Sequence, residues 1–142
     1  MPVRTLQLDG FRSYAQLRMA LGDGPHVVVG RNAAGKTNLV EAIVVLSTGR
    51  SHRSSSDPEM VRWGAEFARA AASVESAGRE EEVEVVVHAR GSASGTRKRV
   101  RVNGVNRRAS ALRPVLRTVL FAPEDLSLIH ISEPTRLDSK SR

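Results

Sequence analysis

The chain has 142 residues, of which 40% are hydrophobic and 26% are charged, a composition that fits one modest globular domain. It contains no cysteine, which excludes a disulfide framework and thiolate metal sites, and no stretch approaches the length of a transmembrane helix. The formal net charge of +7 favours an anionic partner, with nucleic acid as the first candidate.

Two strands are predicted at the amino terminus. Residues 3–8 alternate between apolar and polar side chains, and residues 15–21 form a second strand after a turn at Asp9-Gly10. The alternation starts at once, without the pattern of a signal peptide, so a cytoplasmic protein is expected.

The next segment has the pattern of a phosphate-binding loop. Residues 27–29 are apolar and predict a central strand, residues 30–37 read G-x-x-x-x-G-K-T, and the apolar run from Leu39 predicts a buried helix ending near Gly49. In such a loop backbone N–H groups surround a phosphate, Lys36 would reach the β- and γ-phosphates, and the Thr37 hydroxyl would bind Mg²⁺. The predicted nucleotide-binding residues are Gly30, Arg31, Asn32, Ala33, Ala34, Gly35, Lys36, Thr37 and Asn38.

A polar segment follows the predicted helix. Residues 50–56 are basic and rich in serine, which is typical either of a solvated loop or of a contact with a nucleotide or partner. The Asp57-Pro58-Glu59 sequence predicts a helix start, and a short helix over residues 60–64 is expected to bury Met60 and Trp63.

In the second half of the chain the hydrophobic period changes to two. Residues 67–74, 82–90 and 97–102 are predicted to form three antiparallel strands, followed by a turn at Asn103-Gly104. A group of arginines is either the solvent face of these strands or a surface for DNA phosphates: Arg97, Arg99, Arg101, Arg107 and Arg108. A helical turn within residues 111–115 and a buried strand over residues 115–121 complete the prediction.

Five segments of the chain match one family pattern in the same order. They are Phe11-Arg12-Ser13-Tyr14, the P-loop with Asn38-Leu39-Val40-Glu41-Ala42-Ile43, Thr48-Gly49-Arg50-Ser51-His52-Arg53, Arg101-Val102-Asn103-Gly104-Val105 and Leu120-Phe121-Ala122-Pro123-Glu124-Asp125-Leu126. In these segments the chain resembles the amino-terminal part of the RecF family of bacterial replication and repair proteins. The resemblance implies an α/β fold, the P-loop lobe of an ABC/SMC-like ATPase head over residues 1–126, with an antiparallel β subdomain over about residues 67–105.

The resemblance also implies site residues and partners. ATP and Mg²⁺ would be the cofactors, with Arg12 near the nucleotide, Arg50 or Arg53 on a phosphate across an ATP-dependent homodimer, and Glu124 near Mg²⁺ and the attacking water. The family binds DNA at single-strand gaps in repair, recombination and the SOS response. It works with RecO and RecR so that RecA is loaded, and a full-length member is expected to be a weak DNA-dependent ATPase.

The end of the chain departs from the family pattern. No signature loop or acidic ATPase strand follows Leu126, so the chain is expected to be the first third of a family member and to bind nucleotide without hydrolysing it. Residues 127–142 resemble translated sequencing-adapter sequence and are predicted to be a non-native tail, the alternative being a natural divergent terminus.

Two other functions fit parts of the sequence. A P-loop metabolite kinase or phosphotransferase would use the same loop, but it would need a second substrate pocket and an arginine-rich lid. A basic DNA-binding module without nucleotide dependence would use the arginine-rich strands, and the intact motif of residues 30–37 argues against it.

Overall fold

In the described part of the chain, a six-stranded antiparallel sheet carries one long helix on one face. The computed structural model describes residues 2–27, 35–91 and 97–120. The strands lie in the order β2-β1-β3-β4-β5-β6, with every neighbouring pair antiparallel. Their bounds are β1 Val3–Phe11, β2 Tyr14–Ala20, β3 Phe67–Ser76, β4 Arg79–His88, β5 Lys98–Val102 and β6 Val105–Arg107, and the helix α1 spans Lys36–Thr48.

The core lies between α1 and the sheet. Alternate residues of the central strands point toward the helix, where β1 contributes Leu6 and Leu8 and β4 contributes Val83 and Val85. On β3 the buried positions facing α1 are mostly alanines (Ala68, Ala70 and Ala72), whose small side chains let the helix lie close to the sheet. The period of two predicted from the sequence is therefore confirmed for β3, β4 and β5.

Two tight turns connect the strands of the second half. Ala77 and Gly78 both have positive φ, 52° and 77°, and join β3 to β4. Asn103 and Gly104 do the same between β5 and β6, with φ of 52° and 80°. Two successive positive φ angles give the turn that matches the twist of a hairpin, so the prediction made from Asn-Gly is confirmed.

The helix predicted over residues 60–64 is wrong. A 3₁₀ helix runs over Asp57–Met60 and the chain is extended at Val61, where φ is −77° and ψ is 128°. The backbone N–H of Arg12 donates to the Met60 carbonyl at 2.8 Å, and Val61 forms a β-bridge with Phe11. These contacts with the β1–β2 turn hold the backbone in an extended conformation, so the helix ends at Met60. Met60 is fully buried as expected, but Trp63 is 99% exposed.

One predicted strand differs from the structure, and another lies mostly outside the described residues. Val27 lies outside any strand and is exposed, while Val28 and Val29 lie outside the described residues. Residues 115–120 are not a strand, because hydrogen-bonded turns carry the chain from Ala109 to Leu116 and Thr118 bonds the Ser47 hydroxyl at the end of α1 at 2.7 Å. The buried side chains of Val115 and Leu116 thus join the core without pairing to the sheet.

No helix in the described part of the chain is long and apolar enough to cross a membrane.

Candidate nucleotide site

Helix α1 begins inside the predicted phosphate-binding loop. Gly35 caps it in the left-handed conformation, with φ of 93°, and its carbonyl accepts the first helical hydrogen bond from the Leu39 N–H at 2.9 Å. Lys36, Thr37 and Asn38 therefore occupy the first turn, where backbone N–H groups have no helical partner and the helix dipole is positive. The other predicted loop residues lie outside the described part of the chain: Gly30, Arg31, Asn32, Ala33 and Ala34.

The β1–β2 turn packs directly on Gly35. A Cβ atom at Gly35 would lie 2.6 Å from the Ser13 Oγ and 3.1 Å from the Tyr14 ring. The Tyr14 hydroxyl donates a hydrogen bond of 3.0 Å to the Gly35 carbonyl. Glycine is thus required at this position both by its positive φ and by the close approach of the turn.

The buried carboxylate of Glu41 on α1 binds side chains from two other segments of the chain. Arg12 donates from Nε to Glu41 Oε1 and from Nη2 to Glu41 Oε2, both at 2.8 Å. The Ser51 hydroxyl also donates to Oε2, and Arg53 Nη1 lies 3.3 Å from Oε1. The Glu41 side chain is fully buried, so it is paired on both oxygens as a buried charge must be.

Asn38 links the same segments nearer the helix start. Its amide nitrogen donates to the Ser13 hydroxyl at 3.0 Å, and its amide oxygen accepts from Arg53 Nη1 at 2.6 Å. The β1–β2 turn, the first turns of α1 and the polar segment after α1 therefore form one hydrogen-bonded unit, which we call the Glu41 cluster: Arg12, Ser13, Asn38, Glu41, Ser51 and Arg53.

The electrostatics of the cluster keep Glu41 ionised. Burial raises the pKa of the Glu41 carboxyl, but the hydrogen bonds from Arg12 and Ser51 and the charges of Arg12 and Arg53 lower it more. The net pKa of Glu41 is below its usual value. At neutral pH the cluster holds two guanidinium charges and one carboxylate charge, a balance of +1.

The polar segment after α1 borders an open cavity of about 520 Å³. It is lined by residues 50–55 together with Asp57 and Lys98. Lys98 Nζ pairs with Asp57 at 3.0 Å and donates to the Gly49 carbonyl at 2.8 Å, which fixes the base of the segment on β5. Of the two arginines predicted here, Arg53 belongs to the Glu41 cluster and Arg50 is exposed at the cavity.

The predicted DNA-binding arginines do not share one surface. Arg99 and Arg101 alternate with the core residues Val100 and Val102 and so face away from α1. Arg107 is paired in register with Val100, which places it on the helix side of the sheet edge. The remaining two, Arg97 and Arg108, are exposed outside the strands, and Glu124 lies outside the described residues.

The face of the sheet opposite α1 carries a row of ion pairs that sequence reasoning missed. Asp9 is 3.1 Å from Arg18 and 3.3 Å from Arg69. Glu84 bonds Arg69 and lies 3.8 Å from Arg101. Arginine charge on this face is partly neutralised by carboxylates of neighbouring strands, which only the register of the strands reveals.

The fold and the site together define the class of protein. A helix that starts at the Gly-Lys-Thr of a phosphate loop, packed on this antiparallel sheet, is the P-loop lobe of an ATPase head of the ABC/SMC type. Residues 2–128 match the sequence model of the RecF/RecN/SMC N-terminal domain, and the chain belongs to that family.

Curated relatives agree with the family match. The chain is 39% identical over 137 residues to the DNA replication and repair protein RecF of Shouchella clausii, which covers 96% of the chain and 35% of that protein. It is 42% identical over 134 residues to RecF of Acidothermus cellulolyticus, covering 94% of the chain and 35% of the relative. The chain thus spans about a third of the length of these relatives.

Solved structures show the same fold. The structure of the recombination mediator protein RecF with ATP, in the RecFOR pathway, superposes with a TM-score of 0.77 at 29% identity, over 90% of this chain and 34% of that one. A structure from a study of ATP-driven dimerisation and DNA-stimulated activation of SMC ATPases has a TM-score of 0.73 over 89% of each chain. Because the sequence identity is only 21%, this similarity supports a shared fold and nothing further.

Proposed function

We propose that this chain is the ATP-binding lobe of a RecF-type DNA replication and repair protein. The observation that carries the proposal is the start of α1 at Lys36, directly after a glycine on which the β1–β2 turn packs. The N–H groups of the first helical turn and the helix dipole suit a phosphate at this point. A structure of RecF with ATP has the same fold, which supports ATP as the nucleotide.

In this proposal the loop and the helix start share the work of binding. Residues 30–35 would surround the phosphates with backbone N–H groups, and Lys36 would contribute a positive charge to the β- and γ-phosphates. The Thr37 hydroxyl and phosphate oxygens suit Mg²⁺, a hard cation that prefers oxygen ligands. Bound Mg²⁺ would neutralise phosphate charge. Arg12 would contribute a second positive charge: its guanidinium pairs with Glu41 of α1, and its neighbour Ser13 lies against Gly35.

For the whole protein we propose the role of the RecF relatives. It would dimerise through ATP, with Arg50 or Arg53 on a phosphate of the partner's nucleotide and Glu124 near the attacking water, and hydrolyse ATP weakly when DNA is bound. It would bind DNA at single-strand gaps during repair and recombination, and act with RecO and RecR to load RecA. The name of the neighbouring structure, a recombination mediator in the RecFOR pathway, supports this context.

We propose two separate sets of arginines for DNA phosphates. Arg97, Arg99 and Arg101 would form one set, and Arg107 and Arg108 the other, because the strand register directs Arg101 and Arg107 to opposite faces. The first set should contribute less, since Arg101 lies 3.8 Å from Glu84 and donates to Asn106 at 3.1 Å.

Equilibrium ATP binding tests the proposal. We expect Lys36→Ala to abolish ATP binding while salt-sensitive DNA binding persists, because the two anions would use different surfaces. Arg79→Ala is the matched control, since it removes one positive charge from an exposed position at the start of β4. An ATP affinity of Lys36→Ala equal to that of the unmodified chain would contradict the proposal.

A further inference from the structure

Glu41 is the exception in an otherwise apolar stretch of α1. It lies among Leu39, Ala42, Val44 and Val45, all buried, and is itself fully buried. Removing a carboxylate from water is costly unless it is well paired, and an apolar side chain of similar size would often stabilise such a position as well or better. Packing alone therefore does not explain why an ionised glutamate occupies position 41, and a functional requirement explains it better.

Within the part of the chain that the structure describes, the two arginines on Glu41 use only some of their N–H donors in this pairing. Arg12 uses Nε and Nη2 in its pairing with both carboxylate oxygens. Arg53 uses Nη1 for Glu41 and Asn38. A guanidinium has five N–H donors in a rigid plane, so this pairing fixes the direction of Arg12 Nη1 and of Arg53 Nε and Nη2.

These donors belong to segments that contact the helix start. Thr37 and Glu41 are four residues apart, so they lie on the same side of α1, about one 5.4 Å turn apart. Asn38 ties Arg53 to Ser13, and Ser13 touches Gly35. The Glu41 cluster therefore reaches the residues that would surround a phosphate.

We propose that Glu41 is a positioning residue that holds Arg12 and Arg53 for contact with the nucleotide phosphates. The inference rests on the proposed ATP site and adds a specific role for a side chain that does not itself touch ATP. Glu41 also reduces the charge of the two arginines from +2 to +1, which allows them to lie together before an anion is bound.

Charge and geometry make opposite predictions for Glu41→Gln. The amide removes one negative charge near the phosphates, so electrostatics alone would leave ATP binding by the folded variant unchanged or tighter. Loss of the paired geometry would weaken it, because an amide cannot accept two hydrogen bonds from Arg12 as a carboxylate does. A weaker affinity in a folded variant thus identifies positioning rather than charge.

The experiment is ATP titration of the full chain and three variants, at temperatures where thermal unfolding shows each to be folded. We expect the ATP Kd of Glu41→Gln to rise about tenfold, the loss of one good charge-assisted hydrogen bond. Glu84→Gln is the matched control, since Glu84 also pairs with two arginines, Arg69 and Arg101, on the opposite face of the sheet. Its Kd should stay within about twofold of the unmodified chain.

Glu41→Asp decides the matter if Glu41→Gln does not fold. Aspartate keeps the negative charge but places the carboxylate one methylene farther from the arginines. If Glu41 acts by positioning, the ATP Kd should rise; if it acts only through its charge, the ATP Kd should not change. Unchanged or tighter ATP binding by either folded Glu41 variant would overturn the inference while leaving the proposed function intact. Failure of the unmodified chain to bind ATP would overturn the proposed function and the inference with it.

Discussion

The hydroxyl of Tyr14 donates a hydrogen bond of 3.0 Å to the backbone carbonyl of Gly35. The bond joins the first residue of β2 to the residue that caps α1, 21 positions along the chain. Through it the edge of the sheet supports the point where the proposed phosphate site begins.

Tyr14→Phe should lower the free energy of unfolding by about 0.5–1.5 kcal/mol, the usual net contribution of one hydrogen bond. The loss stays modest because the Gly35 carbonyl keeps its bond from the Leu39 N–H. Urea denaturation measures it, with an unchanged slope expected. A loss above about 3 kcal/mol would mean that Tyr14 stabilises the fold through interactions beyond this one hydrogen bond.

Gly35→Ala should destabilise the chain more than Gly64→Ala does. The two glycines have nearly the same φ, 93° and 89°, so an alanine at either position carries a similar backbone strain of about 1–3 kcal/mol. At Gly64 a Cβ would meet nothing within 4 Å, whereas at Gly35 it would strike Ser13 and Tyr14. The contacts should add about 1 kcal/mol or more.

Thermal or urea unfolding of both glycine variants gives the comparison. Equal losses at the two positions would show that the close approach of the β1–β2 turn to Gly35 is absent in solution.

Met60→Ala should destabilise the chain by about 2–5 kcal/mol, since Met60 is fully buried in the core. Trp63→Ala, three residues later, should change the free energy of unfolding by less than about 0.5 kcal/mol, because its side chain is 99% exposed. Trp63 is the only tryptophan, so its fluorescence reports this position directly. We expect emission typical of a water-exposed indole in the folded chain, and a marked red shift on unfolding would contradict the exposed placement.

The stability contributed by Glu41 should depend on pH. Burial raises the pKa of Glu41. The hydrogen bonds from Arg12 and Ser51 and the charges of Arg12 and Arg53 lower it by more than burial raises it, so the folded pKa is below the unfolded value of about 4.3. The folded state then binds fewer protons at this group, and its contribution is complete above about pH 4.3 and is lost as pH falls through the folded pKa. Urea midpoints of the unmodified chain should fall with pH below about 4.3.

Glu41→Gln provides the comparison for the pH series, because it removes the titrating group. Its midpoint should be lower at neutral pH and should fall less steeply in the acid range. An equally steep fall in this variant would assign the acid sensitivity to other carboxylates.

Most parts of the fold that follow from local patterns were predictable. The exception is the turn predicted at Asp9-Gly10, which lies inside β1, whereas the chain turns at Arg12-Ser13. The alternation in β3 and β4 and the Asn103-Gly104 turn each depend on neighbouring residues alone, and the structure confirms them. The exposure of Trp63 was not predictable, because it depends on a bridge between Val61 and Phe11, 50 positions apart in the chain. Because the Val61–Phe11 bridge keeps the backbone extended after Met60, Trp63 does not follow Met60 into the core.

The candidate site was predictable only in outline. The sequence predicted a buried helix from Leu39, directly after the loop, and α1 begins three residues earlier, at Lys36. Nothing local in the sequence shows that Glu41 binds Arg12, 29 positions away. The arginines from Arg97 to Arg108 form one cluster in sequence, yet the pairing of Val100 with Arg107 places them on different faces. Strand register, which is set by tertiary packing, decides which charges act together.

The most direct test of the account is to follow backbone amide signals by NMR while ATP and Mg²⁺ are added to the isotope-labelled chain. If the start of α1 binds the phosphates, the amides of Lys36, Thr37 and Asn38 should shift most and saturate together, and Lys36→Ala should remove the effect. Shifts confined to the arginine-rich strands β5 and β6, or a set at the helix start that does not saturate, would contradict it.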